Sequence, residues 1–447
     1  MRKSVLKQFL NKIKNSKLAM NYIWVLLGQN IGTVFSMLSL IVTLRVITTL
    51  EYGSLVVIQT YALLISNLFG FRTFNGLIKY VTDAENENDY QRAKKYINTA
   101  FCMDCLAGAV AFVLGIVLLE PIVKIMGWDS STMEMVLYYF PLVLFLPILN
   151  GAPVGVLRKI NCFKQVNMVH ATVFGIQLVA LVALWIFGSH SLLLVLLVYE
   201  LTEILECLVL VYLAYKKLNG LEQYQGFAKA GIIRDMGFIK YNFMFGLTTA
   251  VDQILGNVST LLIDKYVGTL ATAYLKVITR ICGVISKLTS PIGQIFYPEL
   301  CEWIAQKNYK KAYRIAMKFF LIICGVGSVA VFLLFITYDW WIILFDAAME
   351  NAKWQSLLYL LYTVMSTSMI CITQLIFAMK LVNKNLLLVA VFNVLYIVLL
   401  IPVIKEYGIY GYLLLQIGQL ICVAIGKIAM VKRNIKLVSK TGATNET

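Results

Sequence analysis

Charge is what this 447-residue sequence has least of. Asp, Glu, Lys and Arg together make up 14% of it, where soluble domains carry about 25%. With 60% hydrophobic residues, there is too little polar side chain to coat a soluble core of this length. That excludes an ordinary soluble enzyme, a disordered chain and a nucleic-acid-binding domain. Histidine is nearly missing: His170 and His190 are the only two, and no metal or nucleophile cluster accompanies either. No G-x-x-x-x-G-K-[ST] stretch occurs, which excludes ATP hydrolysis through a P-loop. The nine cysteines are odd in number and lie mostly inside apolar runs, so they do not form a disulfide framework. Cys102 and Cys105 make a C-x-x-C, but no second pair stands at zinc spacing. No enzyme site and no cofactor are expected.

What is present is a succession of apolar runs along the whole chain, at about 22–46, 54–79, 99–119, 134–157, 167–187, 191–214, 241–263, 269–297, 315–337, 354–379, 386–404 and 409–430. Each is near the ~20 residues that cross ~30 Å of hydrocarbon as a helix. Because the runs are continuously apolar rather than alternating, a membrane β-barrel is excluded. The fold class is therefore an all-α polytopic membrane protein with about twelve transmembrane helices. Met1–Lys17 is basic and shows no cleavage pattern of a removable signal peptide. Leu6, Phe9, Leu10 and Ile13 share one face of it, as in a helix lying on the membrane surface.

The net charge is +16, from 39 Lys and Arg against 23 Asp and Glu. With the N-terminus inside, 28 of these cations fall in inner segments and 4 (Lys124, Lys265, Lys353 and Lys405) in outer loops. The positive-inside rule then places both termini in the cytoplasm, which requires an even number of spans. The expected organisation is a cytoplasmic basic segment 1–17, a six-helix half 18–215, a cytoplasmic linker 216–240, a second six-helix half 241–431 and a cytoplasmic tail 432–447, with a cavity between the halves. Asn88-Asp89-Tyr90-Gln91-Arg92-Ala93-Lys94-Lys95 after the second span aligns with Lys307-Asn308-Tyr309-Lys310-Lys311-Ala312-Tyr313-Arg314 after the eighth. This short match suggests a duplicated six-helix unit, repeated in parallel; chance likeness of two basic loops is the alternative.

Seven cations remain inside spans. Lys79 and Lys427 lie near helix ends, where long side chains snorkel, and Arg45 near the outer end of the first span. Lys276, Arg280 and Lys287 project from one face of the eighth span, at about 100° per residue, and Arg72 shares a face with Lys79 on the second. Each cation at the bilayer centre costs roughly 2.5–3.5 kcal/mol, so a lipid-facing row of three is strongly disfavoured. They should face water or an anion. The plainer alternative is that they pair with membrane acids and lock helices together; Asp252, Glu200, Glu203, Glu206 and Asp104 are the candidate partners. Asp252 and the deep Glu200 and Glu203 are read first as counterions, with proton or sodium coupling as their other possible role. Pro141, Pro147 and Pro153 on the fourth span and Pro291 and Pro298 on the eighth should bend those helices.

The stretch Leu44–Gly53, ending in Leu50-Glu51-Tyr52-Gly53, resembles the connection between helices one and two of bacterial polysaccharide flippases, members of the multidrug/oligosaccharidyl-lipid/polysaccharide (MOP) exporter superfamily. Asp264-Lys265-Tyr266-Val267-Gly268, with Tyr274 and then Pro298-Glu299, resembles the helix seven–eight region of the same family. Two positions depart: Thr49 stands where glycine is frequent, and Thr272-Ala273 where Val-Gly is common. The resemblance implies export of undecaprenyl-diphosphate-linked oligosaccharide repeat units for O-antigen, capsule or other surface polysaccharide, from a bacterial cytoplasmic membrane. It implies a sugar–diphosphate head passing through the central cavity while the lipid tail stays in the bilayer. Basic cavity residues bind the anionic head in such transporters, and by position Arg45, Arg72, Lys276, Arg280 and Lys287 match them. Expected partners are the lipid-linked oligosaccharide, membrane lipids and other polysaccharide assembly proteins, with no nucleic acid. The alternatives are a cation-coupled multidrug exporter of the same superfamily, which would want an acidic cavity, or a non-transporting component of polysaccharide assembly.

Overall fold

The computed structural model describes residues 17–71, 73–149, 151–283, 300, 303–304, 306–343, 345, 352–379 and 381–443. Arg72, Lys287, Pro291, Pro298, Glu299 and the basic segment 1–16 lie outside them, as does the side chain of Asp252. Among the described residues every regular element is helical. In a membrane this is the expected solution, because a helix satisfies its backbone hydrogen bonds within one segment. Among the described residues six helices are long and apolar enough to cross a bilayer, or seven with a bent pair taken as one span.

The chain divides into two compact units, Met1–Leu261 and Leu262–Thr447. In the first, α1 (Lys17–Val46) packs along α7 (Phe163–Ile186), and α4 (Tyr90–Met126) packs against α2 (Thr49–Phe69) and α3 (Thr73–Asn86). The Leu50–Gly53 motif opens α2. Thr48 Oγ1 accepts from the Glu51 amide, while the Glu51 carboxylate accepts from the Thr48 amide. This reciprocal cap satisfies two donors that a helix start would otherwise leave bare, and it lets Tyr52 and Gly53 enter the core.

The fourth apolar segment is not one helix. It runs as α5 (Ser130–Tyr139), a 3-10 turn Phe140–Leu144, a short turn Leu146–Leu149 and α6 (Ala152–Lys159), bent by 43°. Pro141, Pro147 and Pro153 supply the breaks by removing backbone donors. The following α8 (Leu192–Asn219) packs on α7 and α6.

The 216–240 connection does not hang free between the units. Lys94 Nζ donates to Gln225 O at 2.9 Å, Asn98 Nδ2 to Phe227 O at 2.8 Å, and the Ile233 amide to Thr99 Oγ1 at 2.9 Å. Tyr224 donates to Glu85 Oε1 at 2.5 Å, and Lys159 Nζ meets Glu85 Oε2 at 2.5 Å. Burial, and then the Glu85 carboxylate, push the Tyr224 hydroxyl above its ordinary range. The connection and the start of α9 (Met236–Tyr266) thus belong to the first unit, and the division between units falls inside α9 rather than in the connection.

In the second unit α10 (269–283) is followed by α11 (Tyr309–Ile336), which packs on α12 (Lys353–Ser368) and α13 (Ile370–Ala378). The last element, α14 (Val382–Ala443), joins two of the expected spans across Gly408, which has φ 57° and ψ −140°. Only glycine adopts that conformation readily.

The two basic loops matched in the sequence share their geometry. Asn88 (φ 57°) and Lys307 (φ 59°) are both left-handed. Asp89 N donates to Ala84 O and Asn88 N to Glu85 O; Asn308 N donates to Trp303 O and Lys307 N to Ile304 O. Each set is a Schellman closure of one helix. Asp89 and Asn308 then occupy the N-cap positions of α4 and α11, and Ala93 and Ala312 are both fully buried.

Candidate functional site

The membrane-embedded polar groups differ in kind between the two units. In the first they are acids. Asp104 on α4 is fully buried. Its carboxylate accepts from Thr73 Oγ1 at 2.7 and 2.9 Å and from the Ala152 amide at 2.7 Å. Thr73 begins α3 and Ala152 begins α6, so one carboxylate ties together the starts of two helices. A Cβ on Gly151 would collide with that carboxylate. Asp104 was a candidate counterion in the sequence; the groups seen on it are a hydroxyl and an amide.

On α8, Glu200, Glu203 and Glu206 recur at intervals of three and so share one side of the helix. Glu200 and Glu206 are buried. Glu206 Oε1 meets His170 Nδ1 of α7 at 2.7 Å, and the imidazole lies edge-on to Phe174 at 4.6 Å between centroids. One step further, Gln177 Nε2 donates to Thr202 Oγ1 at 3.3 Å. Glu200 and Glu203 lie in the electrostatic reach of the buried Tyr139. The His170–Glu206 pair is a partnership that sequence reasoning missed. The residues are 36 apart, and nothing local signals the pairing of α7 with α8.

Among the described residues the second unit carries intramembrane cations and tyrosines. Lys276 and Arg280 stand one turn apart on α10, and Lys276 lies in the field of Arg280. Lys287 lies outside the described residues. Two residues beyond Arg280, the buried Cys282 lies within electrostatic reach of Tyr359 of α12. Tyr359 and Tyr362 lie tilted at 52° with ring centroids 5.6 Å apart; Tyr412 of α14 is within electrostatic reach of both, and Tyr396 of Tyr359 and Tyr412. Tyr396 and Tyr412 are buried. These tyrosines were not singled out in the sequence; a polar aromatic pair three residues apart on an apolar helix was the signal available.

Arg45 sits in the last turn of α1 with its side chain exposed, in the first unit together with the α8 acids. Lys276 and Arg280 belong to the second.

The sequence profile of a family described as polysaccharide biosynthesis protein matches residues 18–303. The chain belongs to that family. Among the relatives of this polysaccharide biosynthesis family member is inner membrane protein YghQ of Escherichia coli (strain K12), 22% identical over 284 residues, which are 63% of this chain and 79% of YghQ. A multidrug resistance MATE family transporter of the MOP superfamily, in an inward-facing conformation, superposes with a TM-score of 0.76 at 12% identity, over 92% of this chain and 96% of its own. A MOP superfamily transporter from Pyrococcus furiosus, reported with a binding pocket of reversed polarity, superposes at 0.59 and 12% identity over 96% and 98%. The superpositions show that the chain shares the fold of these transporters.

Proposed function

We propose that the protein is a flippase of the bacterial cytoplasmic membrane that moves undecaprenyl-diphosphate-linked oligosaccharide repeat units outward by alternating access, for cell-surface polysaccharide assembly. The observation that carries the proposal is the pair of cations, Lys276 and Arg280, on one face of a helix in an apolar part of the chain. Two adjacent like charges repel, and each is expensive in hydrocarbon. An anion with two or more charges removes both costs, and a diphosphate is one. Arg45, Arg72 and Lys287 are the further cations assigned to that head group. Glu200, Glu203 and Asp252 are assigned as counterions of the empty carrier or as the groups through which a proton or sodium gradient acts.

Replacing Arg280 or Lys276 with Ala should reduce surface polysaccharide about tenfold or more, from loss of a charged hydrogen bond worth ~1.5–3 kcal/mol. Protein level in the membrane should be unchanged, and Arg280→Lys should retain part of the activity. Normal surface glycan in the Ala variants at normal protein level would refute the cation site. A second reading, a multidrug exporter, is favoured by the acids of the first unit, since cationic drugs need an acidic cavity. Drug resistance conferred by the protein and lost in Glu200→Gln would support that reading over the flippase.

A further inference from the structure

Six cations in the second unit have no part in the proposed cavity. On α11, Lys310, Arg314 and Lys318 recur every fourth residue and form a row; Tyr313, Met317 and Leu321 form an apolar row beside it. On α14, Lys432, Arg433 and Lys436 line an open cavity of about 1030 Å³ together with them, as do Ala429 and Ile435. No acid lines this cavity. A second cavity, of about 590 Å³, lies next to it and shares Ala429 and Arg433. Its walls are apolar (Leu387, Val391 and Phe392) with Lys384 at its edge.

Lys318 is about 13 Å along α11 from Tyr309, at 1.5 Å per residue. The basic end of the helix therefore overlaps the membrane interface, where long cations snorkel to head groups. The positive-inside rule puts this end on the cytoplasmic side. A cationic hollow with apolar walls at that level meets phosphate above and acyl chains below.

We infer that these two cavities form a binding site for a phospholipid of the cytoplasmic leaflet that carries two phosphates in its head group. Two features favour two phosphates over one. The cations outnumber what a single phosphate neutralises, and Arg433 borders both cavities, so one head group reaches into each while its chains lie on either set of apolar walls. The site is independent of what the protein transports, and its test does not involve transport.

The full chain, purified and placed in phosphatidylcholine nanodiscs, is titrated with cardiolipin, a two-phosphate lipid, and with phosphatidylglycerol, which has one. Thermal unfolding and lipid retention in native mass spectrometry are read for each. Cardiolipin should raise the melting temperature and stay bound, with phosphatidylglycerol clearly weaker. The doubly substituted Arg314→Gln/Arg433→Gln protein should bind cardiolipin about 30-fold more weakly, at ~1 kcal/mol per cation and 1.4 kcal/mol per tenfold. Both side chains are exposed, so the fold should survive; Lys124→Gln, in the first unit, should bind as the parent does. Equal retention by the double variant would overturn the site. So would equal binding of phosphatidylglycerol, of inorganic diphosphate without a lipid, or displacement of cardiolipin by farnesyl diphosphate at lower concentration.

Discussion

Asp104 shows what one buried carboxylate can do in an apolar helix. It has no exposed surface and accepts from a hydroxyl and an amide at two helix starts. Thr73→Val keeps the shape and removes a donor. A buried polar group deprived of a partner costs ~1–3 kcal/mol, so the variant should melt at a lower temperature in detergent. Gly151→Ala, whose added carbon collides with the same carboxylate, should lower the yield of folded protein. Asp235 gives a pH-dependent counterpart outside the membrane. The Tyr96 hydroxyl donates to it at 2.5 Å, and the Phe238 and Gly237 amides add to this, which together hold its carboxyl below the ordinary range against partial burial. A depressed folded value means the stabilisation is present above the unfolded value of ~3.9 and is lost as pH falls through the folded one. Thermal stability should therefore fall on acidification below about pH 5, and Asp235→Asn should flatten that part of the curve.

At the scale of elements, the instructive pair is the closure before α4 and the closure before α11. Both are Schellman turns, yet their left-handed positions are filled by Asn88 and Lys307. Asparagine tolerates that conformation and lysine does not, at a cost of ~1–2 kcal/mol against glycine. Lys307→Gly should raise the melting temperature, and Asn88→Ala should lower it. Gly408 poses the reverse case within α14: its backbone angles exclude a side chain, so Gly408→Val should reduce the folded yield. The broken fourth segment was legible in the sequence because proline acts locally. The break at Gly408 was legible only as a gap between two apolar runs, since a glycine states a freedom and not the angle taken.

For the whole molecule, the topology read from cation placement makes a direct prediction. A single cysteine introduced at Lys124 or Lys405, in a chain with its own cysteines replaced, should react with an impermeant thiol reagent added to whole cells. One at Lys217 or Lys310 should react only after permeabilisation. The reverse pattern would overturn the assignment of cytoplasmic termini. The sequence by itself determined the membrane class, the helical architecture and the suspicion that its intramembrane charges carry the function, because each depends on composition or on spacing along one helix. It also identified the paired loops, whose turn chemistry is written in consecutive residues. Only the tertiary structure decided which group meets which: Asp104 with Thr73 and Ala152, Glu206 with His170, and the connection 216–240 with the first unit. Those meetings join residues tens of positions apart. They depend on which helix faces pack together, and in chains this uniformly apolar the hydrophobic pattern that would announce a buried face is nearly silent.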